Sequence, residues 1–251
     1  MTLLLVQEGF GARPAFDMAV SAALLRRVAA GELPGALRVH AHAPAVAFGK
    51  LDALAPGFPA AVAEARRLGF APFERLAGGR AAVYHEGTLT IGEVLREADA
   101  RTTIERRYAD TAELLVQALR SLGVDARVGA VAGEYCPGDF SVNARGERKL
   151  TGTAQRVVRG AAYVGTVIAV GGSARIAEVV AAVYGALGLD VAPETTGAVE
   201  DEVPGATVGA VAAAILSAFG ARHDLQPAAL DGATLALAAE LEPRFVARAA
   251  A

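Results

Sequence analysis

The segment from Asp139 to Gly172 restricts the possible folds most. "DFSVNARGERKLTGTAQRVVRG" is punctuated at Ala144-Arg-Gly-Glu147 and reads as a β-hairpin. "AAYVGTVIAVG" follows at once, an apolar run of strand length that reads as a buried strand. These strands need a sheet, and a sheet needs apolar cover. Residues 14–31, "PAFDMAVSAALLRRVAAG", supply some, with apolar positions at helical spacing, Pro14 early and Gly31 at the end. "PAAVAEARRLGF" reads as a helix ending at Gly69, and "IERRYADTAELLVQALRSLG" as an amphipathic helix closed by Gly123. Segments 174–188, 207–219 and 230–241 are also helical. "ALRVHAHAPAVAFG" reads as two short strands broken at Pro44, "FERLAGG" and "AAVYHEGTLTIGEV" as strands around a Gly-Gly turn, and "DARVGAV" as another strand. Strands and helices alternate irregularly, which predicts an α/β protein with a mixed β-sheet covered by helices. No compositional shift marks a linker, so one domain is expected to run to about residue 222. Residues 223–251 are expected as a short helical C-terminal appendage of it.

Composition excludes several function classes. The chain has 251 residues, enough for a substantial core, and 53% of them are hydrophobic, many being alanine. A net charge of −3 with a pI near 5.9 gives no electrostatic case for nucleic acid. The longest tempting apolar stretch, Gly160 to Val170, is too short and too glycine-rich to span a membrane. The N-terminus lacks the basic start and cleavage site of a signal peptide. A lone cysteine rules out an intrachain disulfide and fits a reducing cytoplasm. That cysteine and four scattered histidines offer no metal-ligand spacing, so no metal is expected.

Three stretches could carry chemistry. In Arg75-Leu-Ala-Gly-Gly-Arg-Ala-Ala-Val-Tyr-His85, Gly78 and Gly79 let the backbone approach a ligand and present N–H groups to an anion. Arg75 and Arg80 add charge there, and Tyr84 and His85 add polar ends. By itself the stretch is more simply a tight turn with a buried histidine. The second stretch holds Lys149, one of only two lysines among 24 basic residues. An ammonium is a compact point charge suited to a single oxygen, whereas a guanidinium is broad and planar. Gly152, Thr153 and Ala154 follow it, small enough for close backbone approach. The third is Glu134-Tyr-Cys-Pro-Gly-Asp-Phe140, where Pro-Gly places Cys136 in a loop that could display it. A lone cysteine is otherwise a small buried hydrophobe. In a regular hairpin about Ala144 and Glu147, Lys149 faces Val142 and Cys136 falls opposite Gln155. Cys136 then reaches Lys149 only if the Pro137-Gly138 loop folds over.

Taken together, these residues resemble the lipoate–protein ligase and octanoyltransferase superfamily, related to the biotin ligases. "RLAGGRAAVYHEGTLT" is similar to its Arg-Arg-x-Gly-Gly-Gly-Ala-Val-x-His-Asp segment. "NARGERKLTGTAQRVVRG" is similar to its Asn…Gly-x-Lys-x-x-Gly-x-Ala-Gln-Arg segment. The "FDMAVSAALL" helix and the "PAVAFGK" strand keep the family's order, and the resemblance covers about residues 14–220. It departs at Arg80, where the family has a third glycine, and at Glu86, where it has aspartate. The resemblance implies a catalytic domain of the biotin/lipoate protein ligase type. It implies that Lys149 binds an acyl carbonyl, or an adenylate phosphate in ligases, with Gly78 and Gly79 lining the cleft. Arg75, Arg80, Tyr84, His85, Gly152, Thr153, Ala154 and Gln155 become its substrate-binding residues. "EYCPGDFSV" and the lack of an accessory domain are most similar to the cysteine-dependent branch, which implies Cys136 as nucleophile and Lys149 as the group polarising the carbonyl. Such an enzyme moves an octanoyl or lipoyl group between the glycine-cleavage H protein and lipoyl domains of 2-oxoacid dehydrogenase E2 subunits, without a cofactor. The alternatives are a ligase using ATP, Mg and lipoate through lipoyl-adenylate, or a non-catalytic lipoyl-binding subunit.

Overall fold

A computed structural model describes residues 1–248. The strands are β1 (Thr2–Val6), β2 (Gly35–Ala41), β3 (Ala45–Phe48), β4 (Ala71–Glu74), β5 (Ala82–Tyr84), β6 (Thr88–Arg96), β7 (Ala126–Val128), β8 (Val142–Ala144), β9 (Arg148–Val158), β10 (Ala161–Ala169) and β11 (Asp224–Pro227). The helices are α1 (Pro14–Ala30), α2 (Lys50–Ala53), α3 (Phe58–Arg67), α4 (Ile104–Ser121), α5 (Ser173–Leu187), α6 (Val199–Glu202), α7 (Val208–Gly220) and α8 (Gly232–Leu241).

Eight strands form one mixed sheet in the order β11-β1-β2-β6-β10-β9-β8-β7, and β4-β3-β5 form a second, small sheet. β1 runs parallel to β2 and β11, while β2, β6, β10 and β9 are antiparallel neighbours. One face of the large sheet packs on α4 and α7, with Leu115, Leu119, Ile215 and Phe219 in that core. The other packs on α1, and its core extends into the small sheet, α3, α5 and α8. α1 lies close to its sheet because Ala19, Ala22 and Ala23 face inward. This is the mixed sheet with helical cover expected from the hairpin and the apolar run. No helix among the described residues is long and apolar enough to cross a membrane.

The structure departs from the sequence-based expectations in four places. The two strands around Pro44 enter different sheets. "FERLAGG" is strand only to Glu74, and residues 75–80 form a loop. The segment after residue 222 is not purely helical, since β11 pairs with β1 at the sheet edge and α8 packs on α1. The hairpin pairs Ala144 with Arg148, so Lys149 stands opposite Asn143 rather than Val142. The turn sets this register, with Arg145 and Gly146 both at positive φ; beyond it an irregularity between Val142 and Asn143 leaves Val142 opposite Thr151.

Under α1, the histidines prove less scattered than they look in the sequence. His40 on β2 and His42, just past its end, lie on the same side as Arg38. Asp17, His40 and His42 hold one ligand atom each within 4.8 Å of one another. Asp17 is already engaged there, accepting from Arg38 and from the Phe10 N–H (3.1 Å). Arg38 and Asp17 are each only 1% exposed, so the pair is a buried ion pair flanked by two histidines. Burial lowers the His42 pKa from about 6.5 to about 4, and holds His40 well below its usual value. The unfolded chain therefore binds these protons more readily. Their contribution to stability is complete above about pH 6.5 and is lost as pH falls toward 4. For His42 alone the loss amounts to about 3 kcal/mol at pH 4. Thermal melts from pH 4 to 8 are expected to show that acid limb, and His42→Phe should flatten it by this much. Superimposable pH profiles for the two proteins would contradict the assignment.

Candidate functional site

The loop between β4 and β5, the loop before β8, and the centres of β9 and β10 converge on a cavity of about 330 Å³. That volume is at the lower end of ligand pockets and suits a slender group. Its lining includes Arg75, Gly78, Gly79 and Tyr84 from the first motif, and Lys149, Gly152, Thr153 and Ala154 from the second. Cys136 lines it too. The loop at Pro137-Gly138 does fold over, which the strand register by itself could not decide.

Lys149 occupies a socket rather than a surface. Its ammonium donates to Glu134 Oε1 (2.8 Å), the Tyr135 carbonyl (2.9 Å) and the Cys136 carbonyl (2.7 Å), with Ser141 Oγ at 3.2 Å. The side chains of Lys149 and Glu134 are 1% and 0% exposed. Leaving either charge alone in such a place costs on the order of 3–5 kcal/mol. A three-proton donor fits these converging oxygens; a planar guanidinium does not. The Tyr135 ring lies beneath, its centroid 5.0 Å from the ammonium nitrogen.

Cys136 has a left-handed backbone, φ 43°, unusual for a residue with a Cβ. It is held from both sides. Its N–H donates to Tyr184 Oη (2.8 Å), and that hydroxyl donates to the Ala81 carbonyl (3.0 Å). Its carbonyl is one of the lysine's acceptors. The sulfur accepts from the Arg80 N–H at 3.2 Å, and Arg75 Nη1 stands 3.9 Å away. Burial works against charge on Arg75, yet its pKa is raised and it stays a cation beside the sulfur. An N–H and a guanidinium aimed at one sulfur stabilise negative charge there. Burial raises the pKa of Tyr84, Tyr135 and Tyr184, and that of Tyr163 to about 12, so the site holds neutral phenols.

The deep end of the cavity depends on a glycine. Gly165 lines it opposite Gly92 in the β6–β10 register. A Cβ at Gly165 would lie 2.7 Å from the Tyr163 ring. The rim carries Tyr108 stacked on Phe140, with centroids 5.5 Å apart.

Three residues of the expected set are placed differently. Arg80 presents its backbone N–H to the sulfur, while its guanidinium turns to Asp52 Oδ1 (3.2 Å). His85 lies outside the lining, and its Nδ1 accepts from the Gly87 N–H (3.0 Å). Gln155 accepts from Arg107 Nε (2.8 Å) and donates to the Ile104 carbonyl, so it ties β9 to α4. Those two bonds to α4 hold the Gln155 side chain away from the lining. Glu134, Ser141 and Tyr184 escaped the sequence reading. Glu134 had one usable signal, a carboxylate beside the cysteine of a chain whose isolated lysine, once buried, needs a counter-charge. Tyr184 had none.

Known proteins share this sequence pattern and this fold. A family model of the lipoyl protein ligase A/B catalytic domain matches residues 13–220. An octanoyl-[GcvH]:protein N-octanoyltransferase of Geobacillus kaustophilus is 32% identical over 171 residues, which are 66% of this chain and 59% of that protein. A lipoyl-[GcvH]:protein N-lipoyltransferase of Listeria monocytogenes is 30% identical over 167 residues, 63% of this chain and 58% of that one. The chain thus spans somewhat under two thirds of these curated relatives. Among solved structures, lipoate-protein ligase A bound with ATP superposes with a TM-score of 0.78 at 21% identity, covering 97% of this chain and 95% of that one. A bi-partite lipoate protein ligase of Thermoplasma acidophilum gives 0.72 at 20% identity, with 97% and 93% covered. The fold is that of the lipoate-protein ligases, and the chain belongs to the lipoyl protein ligase A/B catalytic-domain family.

Proposed function

We propose that this protein transfers an octanoyl or lipoyl group to a lysine of a lipoyl carrier domain through a thioester on Cys136. The observation that carries this reading is the setting of the sulfur. It opens on the cavity, accepts a backbone N–H and stands beside a half-buried guanidinium. That is an arrangement for a nucleophile and for the charge that develops when it attacks a carbonyl. The donor is an acylated H protein, in keeping with the relatives named for GcvH, and the acceptor is an E2-type lipoyl domain.

The sulfur attacks the acyl-lysine carbonyl of the donor, and the C–N bond breaks as the lysine amine leaves with a proton. The acceptor lysine then attacks the thioester and regenerates the thiol. One amide is broken and one is formed, so the exchange needs no nucleotide. The acyl chain lies along Gly152–Ala154 toward Gly165, and Tyr163 bounds its far end. Lys149 serves this chemistry through the loop whose carbonyls it binds. A single cysteine suits a reducing cytoplasm as the place of work. The ligase reading differs by requiring ATP and by having no use for the thiol.

Three outcomes test the proposal. Incubation with octanoylated H protein should add one octanoyl mass to the intact protein without ATP. The adduct should be labile to hydroxylamine and absent from Cys136→Ser. Strict ATP dependence together with a fully active Cys136→Ser would establish the ligase route instead. Lys149→Arg should remain folded by circular dichroism and lose at least about a hundredfold in transfer rate, an effect of the size of displacing a reacting group by about 1 Å. Wild-type transfer by that variant would overturn the role of the socket. Gly79 has φ 99°, and a Cβ there would lie 2.9 Å from Cys136 Sγ and 3.2 Å from Arg75 Nη2. Gly79→Ala should therefore lower the rate of Cys136 acylation at least tenfold, a change of about 1.4 kcal/mol in barrier. Unchanged acylation kinetics would show that the sulfur is not confined by this loop.

A further inference from the structure

The loop that carries Cys136 is short of regular structure between β7 and β8, yet its backbone is held in one conformation by a single carboxylate. Glu134 Oε1 accepts from Ser141 Oγ (2.8 Å), from the Gly138 N–H (3.3 Å) and from Lys149 Nζ (2.8 Å). Its Oε2 accepts from the Val131 N–H (3.0 Å). The group thus joins both ends of the loop, residues 131 and 141, to its middle and to β9. Lys149, fixed by Glu134, in turn grips the carbonyls of Tyr135 and Cys136. The residue with the left-handed backbone is therefore clamped by a cation whose place is set by the carboxylate two residues upstream.

We infer that Glu134 is a positioning residue for the thiol: its carboxylate locks Lys149 onto the Cys136 backbone and so aims the sulfur at Arg75 and the Arg80 N–H. Glu134 itself is absent from the cavity lining. The inference rests on the proposed role of Cys136 for its significance, but not for its measurement. Thiol reactivity toward a small alkylating reagent depends on how the sulfur is held and not on any acyl donor.

The test is the rate and pH profile of Cys136 alkylation by iodoacetamide, followed by intact mass, in wild type, Glu134→Gln and Ser141→Ala. Glutamine keeps the size and one acceptor oxygen and removes the charge that fixes Lys149. Glu134→Gln, folded by circular dichroism, should shift the alkylation rate at neutral pH by tenfold or more and displace its pH profile. With octanoylated H protein it should lose turnover at little change in KM. Ser141→Ala removes the hydroxyl that bridges Glu134 and Lys149, and should shift the alkylation rate about threefold in the same direction with a near-native melting temperature. A folded Glu134→Gln with wild-type alkylation rate and pH profile would overturn the inference. If Glu134→Gln does not fold, Ser141→Ala decides: a shifted rate upholds the inference and a wild-type rate overturns it. Should wild type form no acyl adduct at all, the proposed transfer fails while this measurement still stands.

Discussion

The site depends on an ammonium and a carboxylate closed off from water together. Lys149 and Glu134 meet at 2.8 Å with almost no exposure of either side chain. A buried pair of this kind adds little net stability over an apolar replacement, but breaking it leaves an uncompensated charge. Its effect here is conformational. Each remaining bond of the lysine goes to the loop that carries Cys136, and each remaining bond of the glutamate goes to that loop's ends or middle. A stretch with little strand or helix of its own thereby holds one shape, including a backbone conformation that a residue with a Cβ rarely adopts.

Around this brace the fold supplies the other walls. β9 and β10 bring Gly152, Ala154 and Gly165 to the cavity, small enough to leave room for a chain. The β4–β5 loop brings Arg75 and the Arg80 N–H to the sulfur from the opposite side. Tyr184 of α5 links the two loops, since it binds the Cys136 N–H and the Ala81 carbonyl at once. Three elements far apart in sequence therefore meet at one thiol. Most of the polar groups facing it are donors, which is the polarity an acyl-transfer nucleophile needs.

Much of this was legible in the sequence where periodicity or turn chemistry is strong. α1 and α4 follow from apolar spacing between a proline or polar start and a glycine end, and β9 and β10 from the hairpin segment and the apolar run. The two small-residue motifs lining one cleft could be anticipated from their shared chemistry. The register of Lys149 could not, because a turn with Arg145 at positive φ leaves no clear signature in a sequence. Nor could the β1–β11 edge, where strands of five and four residues carry no alternation and pair across most of the chain. His85 and Gln155 match their motifs by residue type yet lie outside the cavity lining, engaged by the Gly87 N–H and by α4, contacts that the motifs do not encode. Tyr184 reaches Cys136 only through the packing of α5, a contact that exists at the tertiary level alone.

On the proposed thioester route the acyl group sits on Cys136 while Lys149 stays bound to the loop beneath it. A crystal structure of the protein trapped with an octanoyl group tests this most directly. The account predicts electron density continuous from Cys136 Sγ, the chain running past Gly152 toward Gly165 and Tyr163, and Lys149 Nζ still within hydrogen-bond distance of Glu134 and the Cys136 carbonyl. Density for the acyl group elsewhere, or a Lys149 released from Glu134 to bind the acyl oxygen, would contradict it.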